Sequence, residues 1–303
     1  MTPDARERLL DASGAPIRVL EWGAGPTTVL CLHGGLPGYG PLPLSADVWE
    51  GLAGALASDC HVVAPDLPGA GGSVPRTLEE LTPQGASERV AEVIRGLDLG
   101  HCHIVAHDEA ALVAFALLLR EHDDIGARSL ALLAPAVLAP TGSRSENITL
   151  LNEPMPRWSR RSLLWTVRRL AAYEPAVDSR LLRRLEANAA SDGHARAVAL
   201  LDAAAAGHYQ RALYTSTGAW LARCNEGAFG VPMALIWGMQ DGLSSLERVL
   251  VAYSLLGRGS AEVGLHVLNR CGHFPFDEQP AATAAIVRGL ITRSEADALV
   301  TSS

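Results

Sequence analysis

A chain of 303 residues, 48% of them hydrophobic, is long enough to bury one large core, carry an inserted subdomain and fold without external staples. Its formal net charge of −8 excludes nucleic acid and anionic membrane as natural partners, because an acidic surface is repelled by both. The five cysteines (Cys31, Cys60, Cys102, Cys224, Cys271) lack ligand spacing and read as reduced, mostly buried thiols. The opening MTPDARERLL is charged and lacks an apolar signal core, and no apolar run reaches membrane-spanning length. The expectation is a soluble, cytoplasmic protein.

Residues 9–13 and 17–21, joined by a turn containing Gly14, predict an antiparallel hairpin at a sheet edge. Short apolar runs at 28–32, 61–64, 104–106 and 130–133 then alternate with longer helical patterns. This alternation predicts an α/β fold with a mostly parallel sheet flanked by helices. After Leu133 a Pro/Thr/Gly/Ser-rich segment, 139–145, leads into helical sequence with no clear strand until Val231. That change predicts an inserted helical cap over residues 139–225, set into a core built from 1–138 and 226–303. Within it, the arginines from Arg157 to Arg169 belong to the solvated face of a helix whose Leu163, Leu164, Val167 and Leu170 point inward, or to a basic rim that attracts an acidic substrate. The Ala-rich stretch 187–206 reads as helix. Strand patterns return at 233–237 and 263–268, a last amphipathic helix runs from about 280 to about 293, and the final TSS should fray.

The chemistry concentrates in four places. In VAHDEA, residues 105–110, an apolar strand enters and an Ala/Leu helix leaves, which puts Asp108 at the apex of a strand-turn-helix with small Ala106 and Ala110 on either side. Backbone N–H groups and the positive end of a helix keep such a carboxylate ionised, so it can attack carbon. VLCLHGGLPG, residues 29–38, is a buried strand opening into a glycine loop whose N–H groups, at Gly35 or Leu36, can approach a ligand oxygen. Asp241 in WGMQDG and His273 in CGHFPFDEQP follow the two late strands. DLPGAGGS, residues 66–73, reads as scaffold, and Ser73 is not the nucleophile. HCH at 101–103 has no ligand set around it, so no metal is expected. Neither a Walker loop nor a dinucleotide fingerprint is present.

The order Asp108, Asp241, His273, with these contexts, resembles the α/β-hydrolase fold over nearly the whole chain. An aspartate at the apex, preceded by His107, is similar to the branch of epoxide hydrolases and haloalkane or fluoroacetate dehalogenases. The resemblance implies nucleophilic attack by Asp108, an alkyl ester, and hydrolysis by water activated by His273 with Asp241 orienting the imidazole. It also implies oxyanion donors at Gly35 or Leu36 and at Glu109, and acids from the cap, for which the sequence offers Tyr209, Tyr214 and the Trp158 indole. Glu109 stands where dehalogenases commonly have tryptophan or arginine, which argues against halide binding. Its carboxylate either turns to a cation or to solvent, or one of the pair Asp108 and Glu109 holds a proton. The expectation is a cofactor-independent epoxide hydrolase acting on an apolar small molecule, with Leu151, Met155, Trp158, Trp165 and Trp220 lining its pocket. A homodimer is compatible with this reading. The rivals are an ester or lactone hydrolase with Asp108 as base, a dehalogenase, and a non-hydrolytic cyclase, isomerase or binding protein.

Overall fold

The computed structural model describes residues 5–12, 14–35, 40–120, 125–138, 152–173, 179–205, 207–227, 229–260 and 262–301. Its strands are β1 Arg6–Ala12, β2 Ala15–Trp22, β3 Thr27–Leu32, β4 Cys60–Pro65, β5 Cys102–His107, β6 Ala127–Leu133, β7 Met233–Gly238 and β8 Val263–Leu268. They form one sheet in the order β1-β2-β4-β3-β5-β6-β7-β8. The first two are the expected edge hairpin, Arg6 opposite Glu21 and Ala12 opposite Ala15, and β2 pairs antiparallel with β4. Every pairing from β4 onward is parallel. Because β4 lies outside β3, the chain reverses its winding between β3 and β5, and the loops leaving those two strands meet at the carboxyl edge where α/β sheets build their sites.

The helices are α1 Glu50–Leu56, α2 Pro83–Gly96, α3 Ala110–Leu118, α4 Arg160–Leu170, α5 Arg180–Ala189, α6 Asp192–Asp202, α7 His208–Glu226, α8 Leu246–Gly259, α9 Pro275–Glu278 and α10 Pro280–Thr301. Two apolar layers cover the sheet. One joins Val90 and Val93 of α2, Leu112 and Phe115 of α3, Trp220 of α7 and Val249 of α8. The other joins Leu52 and Leu56 of α1, Leu163 and Val167 of α4, Leu182 and Leu185 of α5, and Val287 and Leu290 of α10. α3 carries apolar residues on every side because it is buried on every side, between the sheet, α2 and α7. All five cysteines are free thiols in buried positions.

Three features depart from the sequence-based expectations. The Ala-rich stretch divides: α5 stops at Ala189, and the Ser191 hydroxyl then caps α6 by accepting from the His194 N–H at 3.2 Å. α10 continues past 293 to Thr301, since residues 294–301 hold no glycine or proline and the Ser294 hydroxyl anchors it on the Arg128 carbonyl at 2.7 Å. Trp220 is not a pocket wall but core, stacked on Phe115 with centroids 5.7 Å apart. The loop at 66–73 is scaffold, as expected: the buried Asp66 accepts from the N–H groups of Ala46 (2.8 Å) and Gly72 (3.0 Å) and pairs with Arg18 at 3.2 Å, while the Ser73 hydroxyl accepts from the Arg18 N–H at 3.1 Å.

Candidate active site

β5 is wholly buried, and its last residue leads into a turn that Asp108 makes at φ 47°, the left-handed region that aspartate tolerates better than most residues. Such a conformation costs on the order of 1–3 kcal/mol and persists only where its surroundings enforce it. Here the Asp108 N–H donates to the Leu133 carbonyl at the end of β6 (3.0 Å), and its own carbonyl accepts from the Ala111 N–H (3.0 Å). The glycine loop packs against this turn. A Cβ on Gly34 would come within 2.8 Å of the His107 carbonyl oxygen and 3.0 Å of the Asp108 Cβ, so only glycine allows the approach.

The structure brings three of the expected side chains together. His273 Nδ1 faces Asp241 Oδ2 at 3.0 Å, and the second Asp241 oxygen accepts from the Leu243 N–H at 2.8 Å. His273 Nε2 faces Asp108 Oδ2 at 3.4 Å, an electrostatic contact longer than a well-formed hydrogen bond. The imidazole is fully buried and Asp108 is 5% exposed. Burial opposes charge on His273, but Asp241 and Asp108 override it and raise its pKa well above the ordinary histidine value. Burial likewise opposes ionisation of Asp108, yet the His273 charge and contact, with the neighbouring Glu109, hold its carboxyl below the ordinary range. His107 goes the other way: burial first, then His273, push it down to about 3, so it is neutral. Its Nε2–H donates to the His273 carbonyl at 2.8 Å and ties the Asp108 turn to the histidine loop.

Glu109 is half-buried and turns to the glycine loop rather than to a cation. Its Oε2 accepts the Gly35 N–H at 2.9 Å. Burial, then the Asp108 charge, push it up to about 8, so of the two neighbouring carboxyls Glu109 keeps the proton at neutral pH. The Gly35 N–H expected to face a ligand oxygen is therefore held by a side chain of the same site. Leu36 lies outside the described residues.

The expected acids from the segment between β6 and β7 are scattered. The Trp158 indole N–H donates to the Gly40 carbonyl at 3.1 Å, and its ring meets His194 edge-on at 4.5 Å. Tyr209 is buried at the start of α7, whereas Tyr214 is 74% exposed. Met155 is also exposed, Trp165 lies under the Arg169 guanidinium at 3.6 Å, and Leu151 lies outside the described residues. A cleft of about 460 Å³ between α5 and the core is lined by Arg18, Asp47, Arg184 and Asn188, and Asp108 is not part of its lining.

Glu278 is a residue the sequence reading passed over, although it stands in the quoted CGHFPFDEQP. Its carboxylate accepts from the N–H groups of Gly272 (3.0 Å) and Phe274 (3.0 Å) on both sides of His273, and from Ala172 just past α4 (2.7 Å). The His273 N–H donates to the Leu170 carbonyl at the end of α4 (2.8 Å), and Gly272 and Gly242 sit where a Cβ would strike the Leu170 and Arg169 carbonyls. Glu278→Gln replaces an acceptor oxygen by a donor facing N–H groups. It should cost about 1–3 kcal/mol of stability and lower turnover, read by denaturant unfolding and by steady-state rates. Unchanged stability would mean that Glu278 does not anchor the loop.

Among the described residues no group of three or more His, Cys, Asp or Glu is arranged to hold a metal ion, and no helix is long and apolar enough to cross a membrane.

Comparison with known proteins agrees with this fold. The chain is 26% identical over 290 residues to the esterase Rv0045c of Mycobacterium tuberculosis, a match covering 91% of this chain and 86% of that protein. Its fold is similar to that of Cfl2 from Burkholderia cenocepacia (TM-score 0.74, 23% identity, 95% of this chain and 99% of that one). It is similar too to that of the epoxide hydrolase CorEH (TM-score 0.72, 16% identity, 96% of this chain and 99% of that one). The sequence model of the alpha/beta hydrolase family matches residues 29–286, most of the chain, and with the eight-stranded sheet and the turn at Asp108 this places the protein in the α/β-hydrolase family.

Proposed function

We propose that the protein is a cofactor-independent epoxide hydrolase acting on an apolar small molecule. The observation that carries the reading is the Asp108 carboxyl at the apex of the strained turn, with His273 Nε2 at 3.4 Å and Asp241 on the opposite ring nitrogen. A carboxylate is a poor base for water but a competent nucleophile toward strained carbon. Asp108 attacks one epoxide carbon, the ring C–O bond breaks, and the released oxygen takes a proton, leaving a hydroxyalkyl ester. Esterification removes one of the two carboxylates that hold the proton on His273. The imidazole then becomes a base at the moment the second step needs one, and takes a proton from water as that water attacks the ester carbonyl.

The similarity to an esterase favours a second reading, in which Asp108 is a base for acyl transfer. A carboxyl held below its ordinary range is a weak base, which favours attack on carbon over base catalysis of acyl transfer. A first turnover in H2¹⁸O, with a panel of aryl and alkyl epoxides, separates the two. The ester route places ¹⁸O in Asp108 and none in the first diol, because the diol oxygen comes from the carboxylate. Label appearing directly in product, or turnover of esters and of no epoxide, would overturn the proposal.

A further inference from the structure

Glu109 occupies a place that an acid-assisted ring opening has to fill. Its side chain directly follows Asp108 on the same turn, its Oε2 is held by the Gly35 N–H at 2.9 Å, and the neighbouring Asp108 charge favours its protonated form. Of the donors expected from the segment between β6 and β7, the Trp158 N–H is committed to Gly40, Tyr214 stands in solvent, and Tyr209 is buried at the start of α7. The titratable groups acting on the Asp108 and Glu109 pair are His273, with Asp241 behind it, and the neutral His107 beneath.

We infer that Glu109 is the general acid of the site, delivering its proton to the oxygen that Asp108 displaces from carbon; this rests on the epoxide reading above. The step balances. Asp108 forms a C–O bond, the epoxide C–O pair passes to oxygen, and that oxygen takes the Glu109 proton. Negative charge moves from Asp108 to its neighbour while the total in the buried site stays constant, which avoids creating a second buried charge. His273, relieved of the Asp108 charge, releases its proton to solvent and serves as base for water, and its imidazolium then protonates the departing alkoxide. Hydrolysis leaves Asp108 as a carboxylic acid, which returns a proton to the neighbouring Glu109, and His273 regains its own from solvent.

The test is single-turnover alkylation of Asp108, followed by intact mass, with styrene oxide or whichever epoxide of the panel turns over fastest. It compares His273→Gln with His273→Gln/Glu109→Gln from neutral to alkaline pH. With Glu109 present, alkylation should decline above pH about 8, where that carboxyl loses its proton. In the double variant it should be at least ~10²-fold slower and lack that limb. Glutamine keeps an oxygen for the Gly35 N–H, so the variant should fold; if it does not, absence of an alkaline limb in the ring-opening step of the wild type overturns the inference by itself. Equal rates and pH profiles in the two proteins would overturn the acid role and leave the epoxide reading intact. No adduct in His273→Gln while the wild type makes diol would assign the proton to the His273 imidazolium and overturn it as well. No diol from the wild type with any epoxide would fail the underlying reading instead.

Discussion

Asp108→Asn should lose turnover by roughly 10⁴-fold or more, the scale seen when a nucleophile is removed, because an amide of the same shape cannot form the ester. The backbone should accept it: asparagine, like aspartate, tolerates the left-handed conformation that this position adopts at φ 47°. Asp108→Ala should be equally inactive but less stable than the asparagine variant by about 1 kcal/mol, since alanine has no local hydrogen bond to offset that conformation. Denaturant unfolding of the two variants checks the difference. The same substitution changes His273. With Asp108 ionised, the folded pKa of His273 lies well above the ordinary value, so this histidine contributes stability that is fully present below about pH 6.5 and is lost as pH rises through the folded pKa. In Asp108→Asn only Asp241 remains to raise it, so its pKa should fall and that contribution shrink, an effect NMR titration of the imidazole can follow. Full turnover in either variant would exclude Asp108 as the nucleophile.

Much of the site was legible because it is local. A buried apolar strand, a polar apex between two alanines and an Ala/Leu helix specify the turn at Asp108 wherever they occur in this fold. Asp241 and His273 follow strands that are themselves short apolar runs. What was not legible depends on partners far along the chain. A proton held by one of the pair Asp108 and Glu109 was among the alternatives the sequence left open, and the choice rests on the Glu109 side chain reaching back to the Gly35 N–H, a contact 74 positions apart that spacing does not reveal. Glu278 collects N–H groups from the histidine loop and from the end of α4, and the Trp158 indole finds a carbonyl 118 positions earlier. Tyr214 is different, since a signal was present. Tyr209, Trp220 and Cys224 form the buried stripe of α7, and at about 100° per residue Tyr214 lies about 140° from Tyr209, facing away. The rotation of that helix, fixed by Trp220 stacking on Phe115, decides which tyrosine can be inside.

His273→Gln should stop the reaction halfway rather than at the start. Glutamine retains an N–H to donate toward Asp241 and fills much of the same buried volume, so the turn, the glycine loop and the Asp108 carboxylate remain in place for attack on carbon. It has no basic nitrogen, so water is no longer deprotonated and the ester persists. Steady turnover should fall by ~10³–10⁴-fold while one equivalent of protein gains the full mass of the epoxide, mapped to the peptide carrying Asp108. Asp241→Asn should give a leakier version of the same arrest. It leaves the base but withdraws the charge that orients it, and a loss nearer the ~10⁴ known for a wrongly held tautomer would show that orientation matters as much as basicity. The distinction from Asp108→Asn is qualitative: that variant should never gain mass, whereas His273→Gln should gain it once and keep it. A His273→Gln protein that turns over steadily, or that stays unmodified while the wild type consumes the same epoxide, would mean that His273 acts before the covalent step, and the order of events derived from its contact with Asp108 would have to be reversed.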